Sequence, residues 1–434
     1  MNDTDFLPAT VSGVTSTPGA LGLSVDTPES RFELLAAELL TQIFDYLDSD
    51  DISNARLTCR VFANVCIRYL PRKCAVSCTK TSLERIEYIA SHPLISQRIQ
   101  SLTVDCSQFW TLVHGRPNQS WDYIPAVGPE EFPWCEAYKR IWEEQRQIKQ
   151  TGKDNDIISR AIPHFKNLKS VRLCMGRFSE DGRLHRETYN SALEHFSFSY
   201  DSPVSCSILQ YLMVMGPLRD AGIKVESLEL LDVSYGIFYP ISQIIGGMEA
   251  NFEHLTNLSI RVQVHPDKDT LKAATRLRSL SLSSKDDHGG RMMVSDNAFS
   301  PNITWEHLHT LTLDNVWIAE HILVGLATRH YRTLKNLTLH NIILCGSWFT
   351  AFPAIREASS LERAVVYGWI GNPVGEYARR EHWRLGVYPD REFDTPWGDD
   401  AREHRLGLRV ASFLCKDPGV IALPLDYSNM TRHF

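Results

Sequence analysis

A chain of 434 residues is too long for one ordinary compact domain unless that domain is a barrel or a repeat array. Hydrophobic residues make up 43% and charged ones 22%, and a net charge of -7 with the signs well mixed gives none of the basic footprint that phosphates demand. No stretch is apolar for long enough to span a bilayer, no basic and apolar leader opens the chain, and ten scattered cysteines form no disulfide framework. These features predict a cytoplasmic or nuclear protein with reduced thiols that binds neither nucleic acid nor membrane.

Residues 1–30 are rich in Thr, Ser, Pro and Gly and read as a disordered tail. The pattern changes at Phe32, after which Leu35, Leu39, Leu40, Ile43, Phe44 and Leu47 recur at helical spacing in one broad stripe. Asp48-Ser49-Asp50-Asp51 ends that helix and caps a second carrying Ile52, Ala55 and Leu57. A third helix places Val61, Phe62, Val65, Cys66, Tyr69 and Leu70 on one side and stops at Pro71. Three helices in residues 31–71 form a very small core, so this unit is expected to lean on something else, a partner or the rest of the chain.

Beyond it the period shortens to that of strands. Ile99-Gln-Ser-Leu102-Thr-Val104 has the form L-x-x-L-x-L, and the form recurs from Leu168, Val225, Leu255, Leu277, Leu308 and Leu334, with a weaker copy from Leu361. Starts at 225, 255, 277, 308, 334 and 361 are 30, 22, 31, 26 and 27 residues apart. Those steps bracket the roughly 20–29 residues of a leucine-rich repeat, in which each strand-plus-helix unit must stack on its neighbours to bury its leucines. The segment Ile318 to Arg329 reads as one of the intervening helices, with Ile322, Leu323 and Leu326 on one face. Val233, Val316 and Ile342 stand where the standard repeat has asparagine, so an irregular solenoid without an asparagine ladder is expected.

The expected fold class is therefore α/β: an N-terminal three-helix unit, then an irregular repeat solenoid with a parallel sheet over 72–370. An aromatic and proline-rich insertion at 107–155 ends in a helix from about Trp134 to Gln150. Residues 371–434, with a helix near Arg402 to Cys415, are expected to cap the last repeat. Residues between and after the inward leucines would face the concave side, and Glu229, Arg261, Asp314, His340 and Tyr367 are the candidate substrate-binding handles.

Signs of catalysis are weak. Cys59, Cys66, Cys74 and Cys78 lack the knuckle spacing of a zinc site and read as buried core thiols, with Cys59 and Cys66 on apolar helix positions. Asp399, Asp400, Glu403 and His404 read as a charged first helical turn. Phosphate loops, nucleophile elbows and H-E-x-x-H motifs are missing, so neither a cofactor nor a metal is expected and a non-enzymatic role is favoured.

The run Leu35-Ala-Ala-Glu38-Leu39-Leu-Thr-Gln-Ile43-Phe-Asp-Tyr-Leu47 resembles the opening of an F-box, L-P-x-E-(I/L)-x-x-x-I-x-x-x-L. The resemblance continues in register through Asp51-Ile52, Leu57, the pair Cys59-Arg60, and Phe62 in place of the usual Trp. Ala36 replaces the family's proline. The whole layout is similar to fungal F-box proteins with divergent leucine-rich repeats. That resemblance implies a substrate-recognition subunit of a Skp–cullin–F-box ubiquitin ligase, with the adaptor gripped by Leu35, Glu38, Leu39, Ile43, Leu47, Ile52, Leu57 and Phe62. The partners it implies are a Skp-type adaptor, through it a cullin scaffold, and a protein target of unknown identity. A repeat scaffold working outside the ligase is the alternative.

Overall fold

The computed structural model describes residues 35–47, 49–69, 72–105, 133–174, 204–233, 248–262, 268–284, 292–294, 299, 303–372, 381–385 and 400–425. The expected tail at 1–30, residues 107–132 of the aromatic insertion, and Asp399 lie outside them. The chain divides into two units between Arg72 and Lys73.

The first unit contains α1 (Ala37–Phe44), α2 (Ser49–Arg56) and α3 (Arg60–Cys66), followed by a 3-10 turn at Ile67–Tyr69. Its core is Leu40, Phe44, Ile52, Val65 and Cys66, with Leu35, Leu47, Ala55, Val61, Phe62 and Tyr69 packed against it. Phe44 is the hub: the rings of Phe62 and Tyr69 meet it edge-on at 5.4 and 6.1 Å, the arrangement aromatic quadrupoles prefer. The Tyr69 hydroxyl donates to Thr41 O at 2.8 Å and lies 2.7 Å from Asp45 Oδ1, tying the last turn back to α1. Cys59 is not on an apolar helical face, as the sequence had suggested. It is the extended N-cap of α3, and its Sγ accepts the Phe62 N–H at 3.4 Å. That bond gives the Cys-Arg pair a local reason: the thiol starts the helix that carries Phe62 onto Phe44.

The second unit is built on parallel strands. In chain order they are β1 (Lys73–Ser77), β2 (Ser101–Asp105), β3 (Ser170–Cys174), β4 (Ser227–Val233), β5 (Asn257–Val262), β6 (Ser279–Ser284), β8 (Thr310–Asp314), β10 (Asn336–His340) and β12 (Arg363–Asn372). They hydrogen-bond in that order. Cys74, Leu102, Val171, Leu228, Leu258, Leu280, Leu311, Leu337 and Ala364 form one register column. Val76, Val104, Leu173, Leu230, Ile260, Leu282, Leu313, Leu339 and Val366 form the next. Both columns are buried. The opening residue of every motif, from Ile99 to Leu361, is buried too. Its neighbours then begin the strand: Lys169 and Ser170 N–H both donate to Gln100 O, and the same paired donation recurs at Glu226 and Ser227, Thr256 and Asn257, Arg278 and Ser279, His309 and Thr310, Lys335 and Asn336, and Glu362 and Arg363.

Helices cover the leucine side of this sheet. They are α4 (Lys80–Ser91), α5 (Pro93–Ser96), α6 (Pro133–Thr151), α7 (Lys153–Ala161), α8 (Val204–Asp220), α9 (Lys268–Ala273), α10 (Glu320–Arg329) and α11 (Trp348–Ala358). Leu83 and Ile86, Ile157 and Ile158, Val214 and Leu218, Leu323 and Leu326, and Phe352 and Ile355 from these helices join the strand columns in one continuous core. The helix expected from Ile318 begins at Glu320 instead. Ile318 lies in β9 (Val316–Ala319), where alternation with buried Val316 outweighs the helical period.

β9 belongs to a second, shorter ladder with β7 (Met292–Val294), β11 (Ile343–Cys345) and the end of β12. The chain enters this ladder through left-handed residues at the eighth position of the motif: Asn315 at φ 56°, Asn341 at φ 51° and Gly368 at φ 75°. Asn315 N–H donates forward to His340 O at 2.8 Å, and its Nδ2 reaches back to Ser284 O at 3.2 Å. Asn315 thus bridges the strands on either side of it from the eighth position of its motif. The strands also keep a tighter register than the uneven steps implied. Slippage is confined to Leu230–Val233 on β4, and the spare residues lie between the strands.

After β12 the chain returns antiparallel as β13 (Glu381–Leu385), then forms α12 (Asp400–Leu414). α12 packs on β12 so closely that a Cβ at Gly407 would lie 2.6 Å from Val366 O. Arg356 of α11 holds it there, donating to Phe413 O and to Val420 O while its guanidinium lies 4.5 Å over the Phe413 ring.

Candidate functional site

α1 carries two apolar faces. Leu40 and Phe44 turn into the bundle and are 1% and 3% exposed. Leu39 and Ile43, one helical turn apart, are 48% and 43% exposed, and Tyr46 continues their stripe at 91%. Leu57, just beyond α2, is 79% exposed. Glu38 is exposed in the first turn of α1, where a carboxylate favours the helix dipole. So four of the eight expected adaptor residues, Glu38, Leu39, Ile43 and Leu57, present surface. Leu35, Leu47 and Phe62 are half-buried against the core. Ile52 is a correction: at 9% exposure it belongs to the bundle's own core, because α2 has no other buried apolar side chain to anchor it among the described residues. Tyr46 was missed. Its spacing from Ile43 and Leu39 was the available signal.

Residues 37–77 match the F-box-like family. No curated protein matches the chain. The F-box-like match ends later than the expected boundary at residue 71, running through β1. β1 escaped the motif because Pro71 and Cys74 stand where its first two leucines would be. The N-cap of α1 is Ala36, without a side-chain cap, and its φ of -59° is the value a proline ring imposes. The backbone thus already has the geometry for which the F-box pattern uses proline.

On the face of the sheet away from the helices, the second unit arrays its remaining strand residues. One row reads Thr103, Arg172, Glu229, Ser259, Ser281, Thr312, Thr338 and Val365. Another reads Arg261, Ser283, Asp314, His340 and Tyr367 across β5 to β12. Of the five expected substrate-binding residues, Asp314, His340 and Tyr367 are brought together. His340 Nδ1 lies 2.5 Å from Asp314 Oδ1, and its ring stacks on Tyr367 at 4.1 Å with planes 16° apart. His340 itself is buried at 4% exposure, so it braces its neighbours rather than offering a free handle. Arg261 lies two strands from Asp314 in the same row, about 10 Å at ~4.8 Å per strand. Glu229 sits apart in the other row, where Arg172 Nε donates to its Oε2 at 2.5 Å. Arg172 was missed, although it occupies the same place between inward residues in its own motif.

The cysteines considered for zinc are buried or capping. Burial raises the Cys66 thiol, pushes Cys74 up to about 11 and Cys78 up to about 12. Thiols held protonated in this way are poor nucleophiles and poor ligands. Asp400 is the first residue of α12. Among the described residues no helix is long and apolar enough to cross a membrane.

Proposed function

We propose that the chain is a substrate-recognition subunit of a Skp–cullin–F-box ubiquitin ligase, in which the first unit docks a Skp-type adaptor and the second holds a target protein. The observation that carries this reading is the coincidence of the F-box-like match with apolar side chains left outside the unit's own core: the stripe Leu39, Ile43 and Tyr46, and Leu57 beyond α2. Covering a fully exposed leucine or isoleucine contributes roughly 1.5–3 kcal/mol, and a half-covered one about half that, before association costs. Several such side chains on one small unit suit a partner of matching apolar surface. The second unit is read as a divergent leucine-rich-repeat solenoid, supported by its strand columns and left-handed eighth positions. β13 and α12 cover its last strand as a cap. Ubiquitin transfer would then be performed by other subunits, and the surface for the target would include Asp314 and Tyr367, with Arg261 and Glu229 alongside.

The test is co-purification of the full chain with a Skp-type adaptor and a cullin. Wild type should retain both, and Leu39→Asp with Ile43→Asp should lower adaptor retention at least a hundredfold while the circular-dichroism spectrum is kept. Failure of wild type to hold an adaptor would sink the reading. Adaptor retained without cullin would favour the scaffold that acts outside the ligase.

A further inference from the structure

His330, just beyond α10, is 2% exposed and sits in a network drawn from successive strand–helix units. Its Nε2 accepts the backbone N–H of Trp305 at 3.0 Å. Its Nδ1 faces Leu326 O at 2.8 Å, and since a carbonyl only accepts, the ring proton must be on Nδ1. The ring stacks on the Trp305 indole at 5.5 Å, that indole donates to Leu271 O of α9 at 3.3 Å, and Phe299 closes on its edge at 6.1 Å. The backbones of the two residues also begin the next two strands: Trp305 O accepts from Leu308 N, and His330 O accepts from Leu334 N at 2.7 Å. Leu308 and Leu334 are the opening residues of the motifs that form β8 and β10, the strands bearing Asp314 and His340.

We propose that His330 is an acid-sensitive latch of the second unit: a proton on Nε2 places two N–H donors face to face, releases Trp305 and loosens the entries to β8 and β10. No other tautomer rescues the contact, because both ring nitrogens are already committed to protein partners. Arg329, on the same helix, opposes a second positive charge beside it. On the Trp305 segment Glu306 and His307 are exposed, on α9 Lys272 is exposed, and on α11 Glu357 is exposed while Arg356 is engaged with Phe413 O and Val420 O. Among the described residues no carboxylate acts on the ring to favour its charge. Burial first, then Arg329, holds the ring's pKa below its ordinary 6.5, against the opposing bond to Leu326 O. The opened segment therefore takes up a proton before the closed one does. The latch is fully effective above about pH 6.5 and weakens as pH falls toward the closed-state value.

Hydrogen exchange of the full chain, corrected for the intrinsic pH dependence, tests this. Between pH 6.5 and 5.5 the opening equilibrium of peptides covering 303–309 and 326–334 should rise, by at most about fivefold, because the opened ring with its ordinary pKa of 6.5 is already half-protonated at the start. Peptides covering 168–174 should stay unchanged. His330→Gln, whose amide does not titrate, should lose the excess. Unchanged protection of 303–309 in wild type, or the same acid response in the variant, would overturn the proposal. Should the variant fail to fold, nitrogen-15 imidazole shifts of wild type decide: a neutral Nδ1–H ring at pH 6.5 that charges only as the segment opens is expected, and a ring charged at pH 6.5 in the closed protein overturns it.

Discussion

The two units solve the problem of burying leucines in opposite ways. Among its described residues the first has Leu40, Phe44, Ile52, Val65 and Cys66 wholly inside, and leaves Leu39, Ile43, Tyr46 and Leu57 on its surface. The second draws the inward residues of every parallel strand, together with those of the helices, into one continuous core. The faces they leave over differ accordingly. A short helix bundle has more apolar positions than interior, so its surplus stays exposed. A stacked sheet has one side fully consumed by packing, and what remains is a polar face of hydroxyls and ion pairs such as Arg172–Glu229. On the proposed function, the first surface would meet a partner of apolar shape and the second a target recognised by polar pattern.

Truncation should expose this difference most strongly. Leu311→Ala, in the middle of an inward column, is expected to lower the stability of the second unit by about 2–5 kcal/mol in denaturant unfolding, because neighbours on both sides are tied in register and cannot close the cavity. Adaptor retention should stay intact; a loss of both together would mean that the units do not unfold independently. A smaller effect is expected at Gly368, whose φ is 75° and whose added Cβ would fall 2.3 Å from Asn341 Oδ1. Gly368→Ala should cost about 1–3 kcal/mol through backbone strain. An unchanged unfolding midpoint would show that the left-handed turn into the second ladder is not a constraint. The smallest effect has the opposite sign. Ala36→Pro, at a φ already near proline's, should stabilise the first unit by about 0.4–1 kcal/mol and tighten adaptor binding modestly. A destabilised variant would show that the entry to α1 needs a conformation proline forbids.

Much of the second unit was legible because its signal repeats. Each L-x-x-L-x-L gave a strand whose fourth and sixth residues point inward, and the uneven steps fell between the strands. β1 was not legible, since Pro71 and Cys74 replace the leucines that mark a repeat. Its place in the ladder comes from Val76 and Cys74 packing beside Leu102 and Val104. Asn315 and Asn341 were overlooked for a related reason: they lie one residue before the place where the standard repeat carries asparagine. In the first unit, helical periodicity located α1 but could not divide its apolar residues between two faces, nor assign Ile52 to the interior.

The stripe and the columns are therefore properties of the sequence, because residue spacing alone decides which side chains share a face of a helix or strand. The pairing of Asp314 with His340 and the stacking on Tyr367 depend on something else. Those residues come from three motifs, and only the parallel register of β8, β10 and β12 sets them side by side. Likewise His330 and Trp305 are separated by two strands and a helix in the chain, and packing alone makes one the acceptor for the other. Local spacing determines what each element can bury; the stacking of elements decides which polar groups meet.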